Sequence, residues 1–122
     1  MKKIVVLGAG MVGRVMAVDL AGEFEVTAVD VDPANLERLA ASAVRTVRAD
    51  LSSPEAVREA VRASDLVVGA VPGSMGFATV RSVIEAGKDV VDISFFPEDA
   101  LRRAEAALPA AVTAVVDCGV AP

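Results

Sequence analysis

Ile4-Val5-Val6-Leu7-Gly8-Ala9-Gly10-Met11-Val12-Gly13 places three glycines at Gly-x-Gly-x-x-Gly spacing directly behind an apolar run. An apolar run of that length reads as a buried strand, and the residues after Gly10 read as a helix. Each glycine then has a separate task. Gly8 lets the strand turn sharply, Gly10 lets a pyrophosphate approach the backbone, and Gly13 lets the helix pack tightly on the strand. The amides of Gly10, Met11, Val12 and Gly13 open the helix and point toward the phosphates, with the positive end of the helix dipole behind them. Val12, Val15, Met16 and Leu20 are expected on the helix face that meets the sheet.

The stretch downstream fits the same scheme. A second apolar run, Phe24 to Val29, ends in Asp30, 17 residues after Gly13. An acid about 20 residues past the glycines hydrogen-bonds the adenosine ribose in dinucleotide sites. Its charge repels the extra phosphate of NADP, because two unit charges 4 Å apart interact by about 4 kcal/mol at an effective dielectric near 20. Val31 and Asp32 supply no cation to offset this, so NAD is the expected cofactor. Asp32, directly before Pro33, is the better candidate for capping the next helix.

Six strand-like runs alternate with helical stretches: Lys3–Leu7, Glu25–Asp30, Ala43–Arg48, Leu66–Ala70, Asp89–Ile93 and Thr113–Asp117. Alternation of this kind predicts an α/β fold, a doubly wound parallel sheet of the Rossmann type between two helical layers, with strand order 3-2-1-4-5-6. Ser52 with Glu55 fits a capping box for the third helix. Gly87 ends the fourth helix in a left-handed conformation. Pro97-Glu98-Asp99 opens a fifth. No linker or repeat divides the chain, so residues 1–122 are expected to form one domain.

Composition narrows the chemistry. The 122 residues are 54% hydrophobic with a net charge of −5, and they include no His, Tyr or Trp and a single cysteine, Cys118. His-based triads, zinc sites of the usual kind and a Tyr–Lys dehydrogenase pair are excluded within this chain. No catalytic residue and no metal ligand is expected here. No nucleic-acid partner is expected for an acidic chain without a basic stripe. No apolar run reaches the ~20 residues of a membrane span, and no signal peptide is read, so a cytoplasmic location is expected.

Other positions at the strand ends are candidates for the site. Asp50 and Leu51, closing the third strand, lie where an adenine ring rests in this fold. Asp50 can accept from the exocyclic amine or serve the turn before the next helix. Ala70, Val71 and Pro72, leading into Gly73-Ser74-Met75-Gly76, form a segment that can skirt the nicotinamide ribose or act as an ordinary loop. Asp92, Ser94 and Asp117 stand at or past later strand ends, as pocket residues or as turn and capping groups. Arg14 meets a phosphate, a partner domain or solvent. Met75, Phe77, Phe95 and Phe96 are core residues or a surface for a second domain, and Cys118 reads as a small buried hydrophobe.

Four segments together resemble the N-terminal domain of the saccharopine dehydrogenase-like family, nearest to lysine 6-dehydrogenases. They are Leu7–Arg14, Gly69–Phe77, Val90–Glu98 and Asp117-Cys118-Gly119-Val120-Ala121-Pro122. The resemblance implies an NAD(P)-dependent oxidoreductase acting at carbon–nitrogen bonds of amino acids or polyamines through an imine. It places Gly8, Gly10 and Gly13 on the pyrophosphate, Asp30 on the ribose, and residues Val71 to Gly76 beside the nicotinamide ribose. Members of the family continue beyond the Gly-Val-Ala-Pro segment into a substrate-binding domain. The chain is therefore expected to be a cofactor domain, truncated or designed, with little or no turnover alone. Its partner would be a second copy or that substrate domain. The second functional reading is a nucleotide-sensing regulatory domain of a potassium channel or transporter. The proline-glycine segment and Ser94-Phe95-Phe96-Pro97 fit that reading poorly.

Overall fold

A computed structural model describes residues 2–71, 73–92 and 114–115. The strands are β1 (Lys3–Leu7), β2 (Glu25–Asp30), β3 (Arg45–Arg48), β4 (Leu66–Gly69), β5 (Val90–Asp92) and β6 (Ala114–Val115). The helices are α1 (Met11–Leu20), α2 (Pro33–Glu37), α3 (Pro54–Val61) and α4 (Gly73–Glu85). The strands form one six-stranded sheet in the order β3-β2-β1-β4-β5-β6, and every pairing is parallel. The predicted α/β doubly wound topology is therefore the one observed.

Side-chain alternation along β1 divides the core. Val5 and Leu7 join Val29, Val67 and the apolar residues Val57, Val61, Val80, Val83 and Ile84 of α3 and α4. Ile4 and Val6 face the other way, onto Ala17, Leu36 and Leu39 under α1 and α2. A strand buried on both faces has no polar alternation, which is why β1 reads as an unbroken apolar run. Full burial of one such side chain stabilises the fold by about 1.5–3 kcal/mol. At the opposite extreme, all four residues of β3 are exposed. Arg45 and Arg48 give this outer strand the charge that discourages pairing with another chain.

Several local expectations need correction. In α1 the buried residues are Gly13 and Ala17, with Met16 and Leu20 packed at the edge of the core. Val12 and Val15 are 59% and 65% exposed, together with Met11 and Val18. The helix lies so close to the sheet that its inner stripe must be small, and the β-branched residues are pushed outward. The cap of α3 is Ser53, whose Oγ accepts from the Ala56 amide at 3.3 Å, and not Ser52. β3 begins at Arg45 and β4 ends at Gly69, each shorter than the apolar pattern suggested. Gly73 to Gly76 belong to α4 and not to an open loop. Gly87 has φ +76°, as the end of α4 requires. Asp32 caps α2, accepting from the Ala34 amide at 2.9 Å. Ser94, Phe95, Phe96, the helix expected from Pro97, Asp117 and Cys118 lie outside the described residues.

Asp92 is wholly buried at the end of β5, in register with Gly69 of β4. A methyl group on Gly69 would stand 2.7 Å from Asp92 Oδ1. The glycine makes room for the neighbouring carboxylate.

Candidate functional site

The turn between β1 and α1 is built from two crowded glycines and one open one. Gly8 has φ +100°, and a Cβ there would lie 2.5 Å from the Ala70 carbonyl oxygen. A Cβ on Gly13 would lie 2.1 Å from the Gly8 carbonyl oxygen. Both positions thus exclude any side chain, the first also on backbone grounds. Gly10 differs, since nothing lies within 4 Å of where its Cβ would be. Its φ of −68° is ordinary, so the fold does not require glycine there. The space in front of it is left free.

That space belongs to a cavity of about 520 Å³. Gly8, Gly10, Met11, Val12 and Gly13 form one wall, Asp30 and Val31 another, Asp50 and Leu51 a third, and Ala70 and Val71 a fourth. These eleven residues, all candidates from the sequence, thus border one cavity at the carboxyl end of the strands, and Pro72 lies outside the described residues. Asn35, Ser52 and Met75 also line it. Asn35 gave no signal in the sequence, because it reaches the cavity only through the packing of α2 beside β2.

The first backbone hydrogen bond of α1 runs from the Arg14 amide to the Gly10 carbonyl at 2.9 Å. The amides of Met11, Val12 and Gly13 precede it and have no helical acceptor. No acidic residue stands in this first turn, so the positive end of the dipole faces the cavity with no carboxylate of its own helix in front of it.

Asp30 is held from several directions. Its Oδ2 accepts from the Ala9 amide at 2.7 Å and from Asn35 Nδ2 at 3.3 Å. Its Oδ1 accepts from the Asp32 amide at 2.8 Å. Arg14 Nη1 donates to the Ala9 carbonyl at 3.0 Å and to Asn35 Oδ1 at 3.3 Å. Arg14 is therefore folded back over the turn. Asp50 is exposed and bonded within its own turn, its Oδ1 accepting from the Ser52 hydroxyl at 2.6 Å and the Ser52 amide at 2.9 Å. These bonds, the hydroxyl first, hold its carboxyl below the ordinary value. Leu51 and Val71 are 7% and 5% exposed, so they show the cavity only an edge of the core. Asp92 is not among the lining residues.

Among the described residues, no group of three or more His, Cys, Asp or Glu side chains is placed to hold a metal ion. No helix among them is long and apolar enough to cross a membrane.

Comparison with known proteins adds the family. Apo saccharopine dehydrogenase (L-Glu forming) from Saccharomyces cerevisiae superposes with a TM-score of 0.82 at 26% identity, over 97% of this chain and 27% of that one. The chain thus spans about a quarter of that enzyme's length. Scyllo-inositol dehydrogenase from Lactobacillus casei shares the fold at a TM-score of 0.71 and 22% identity, covering 93% of this chain and 36% of that one. Uronate dehydrogenase from Agrobacterium tumefaciens, a variant complexed with NAD, gives 0.57 at 25% identity over 75% of this chain and 40% of that one. The model of the saccharopine dehydrogenase NADP-binding domain matches residues 4–115. The open glycine, the free amides of α1 and the acid at the end of β2 suit a dinucleotide, and the chain belongs to the saccharopine dehydrogenase NADP-binding domain family.

Proposed function

We propose that the chain is the cofactor domain of an amino-acid oxidoreductase of the lysine 6-dehydrogenase type, with NAD as its preferred dinucleotide. The carrying observation is the contrast at the glycine turn: two glycines are jammed against backbone, and the third opens onto free space in front of unpaired amides. In this reading Gly8, Gly10, Met11, Val12 and Gly13 hold the pyrophosphate. Asp30 accepts from the adenosine ribose, and Val31, Asp50 and Leu51 border the adenine. Ala70 and Val71, with Pro72 after them, run beside the nicotinamide half.

When bound, the nicotinamide supplies a hydride acceptor for carbon–nitrogen bond oxidation. The residues of this chain bind and orient it. With no His or Tyr in the sequence, the proton-transfer group and substrate contacts are assigned to another domain or partner. The 122 residues form a single domain with little or no turnover by itself, working in the cytoplasm. The match to the saccharopine dehydrogenase NADP-binding domain supports a dehydrogenase cofactor domain over a nucleotide-sensing regulatory domain.

Calorimetric titration with NAD and NADP is the test. NAD is expected to bind more tightly, and Asp30→Ala to weaken NAD while narrowing the gap to NADP. Tighter binding of NADP by the unmodified chain would refute the preference, and no binding of either would refute the function.

A further inference from the structure

Asp30 predicts exclusion of NADP from the local sequence, since Val31 and Asp32 bring no cation. The sheet changes that balance. β2 and β3 are in register with Asp30 beside Arg48, so both side chains leave the same face at the same height. Arg48 Nε donates to the Val31 carbonyl at 3.1 Å. The bond carries the guanidinium to the turn that follows Asp30, and Val31 itself lines the cavity. Arg48 is exposed and forms no ion pair among the described residues. With Nε committed to Val31, its two Nη groups remain as donors in a planar fork that suits phosphate.

We propose that Arg48 is a second determinant of cofactor choice, receiving the 2′-phosphate of NADP beside Val31 and so giving the site a measurable affinity for both dinucleotides. The assignment rests on the proposed function, in which the ribose lies at Asp30. A phosphate on the 2′-oxygen must project past that carboxylate toward the turn at Val31, where Arg48 is anchored. Two carboxylates, Asp30 and Asp32, oppose the phosphate at this turn and one guanidinium supports it. NAD stays preferred, and NADP is weakened without being shut out.

The experiment is a fluorescence titration of the full chain with NADH and NADPH at low and moderate salt. Arg48→Ala should weaken NADPH by roughly 5- to 10-fold, about the worth of one charge-assisted contact, and leave NADH within about twofold. Arg48→Lys, which keeps the charge and loses the fork, should fall between. NADPH binding to the unmodified chain should weaken with salt more steeply than NADH binding, and Arg48→Ala should remove much of that excess. Competition by 2′,5′-ADP against 5′-AMP should show the same split, because the two differ only in the phosphate concerned. Equal effects of Arg48→Ala on NADH and NADPH, or no effect on either, would overturn the proposal while leaving NAD binding intact. Failure of the unmodified chain to bind either nucleotide would overturn both this inference and the function on which it rests.

Discussion

Asp30 and Asp50 close neighbouring strand regions, border the same cavity and carry the same charge, yet they are held in different ways. Asp30 reaches across the fold, and its shortest contact, 2.7 Å, is to the Ala9 amide 21 residues away. Asp50 bonds only two residues ahead, to the amide and hydroxyl of Ser52. One carboxylate ties the glycine turn to the end of β2. The other shapes its own turn and leaves the rest of the sheet untouched. An acid that fastens two elements is placed by the whole fold and can position a ligand group. An acid serving a local turn is placed by its immediate sequence.

Mutation can break this comparison. The largest effect is expected at the turn that Asp30 grips. Gly13→Ala drives a methyl group into the Gly8 carbonyl, and overpacking of this kind costs about 1–3 kcal/mol or more. Urea unfolding should show that loss, and dinucleotide binding should disappear with it. Asp30→Ala comes next. It leaves the Ala9 and Asp32 amides without their charged acceptor, for a loss of about 1–3 kcal/mol. Asp50→Ala should leave the urea midpoint almost unchanged, because its carboxylate is exposed and bonds only within its own turn. Equal losses at the two acids would remove the distinction.

Gly10→Ala separates binding from folding. Nothing surrounds the new methyl group and the backbone conformation is ordinary, so the unfolding midpoint should hardly move while NAD affinity falls at least tenfold, the equivalent of about 1.4 kcal/mol. Retained affinity would mean that no pyrophosphate lies in front of this turn. The smallest effect is the pH dependence of Asp50. Its native carboxyl is held below the ordinary value of 3.8 by the Ser52 hydroxyl and amide. The contribution is therefore present above about pH 3.8 and fades as the pH falls through the lowered native value. The stability difference between the unmodified chain and Asp50→Ala should shrink only at that acid end.

Much of the architecture was legible because it is written in contiguous residues. β1 and β2 run as read, Lys3–Leu7 and Glu25–Asp30. The three glycines and Asp30 announce the turn and its acid by spacing alone. What escaped depends on distance in space. Val12 and Val15 look like core residues by helical period, but the crowding at Gly13 reserves the inner face of α1 for small side chains. Asn35 and Arg48 became neighbours of the site only once α2 and β3 were placed beside β2. Ser52 fits the capping-box spacing with Glu55, but its hydroxyl turns back to Asp50 and the neighbouring Ser53 caps α3.

The Gly69–Asp92 pair has a consequence for how related sequences can diverge. The two residues share one volume between adjacent strands, so neither can change size freely while the other stays fixed. Enlarging position 69 should be tolerated only alongside a smaller residue at position 92. A double-mutant cycle with Gly69→Ala and Asp92→Ala should give a stabilising coupling of at least about 0.5 kcal/mol, as expected for residues in direct contact.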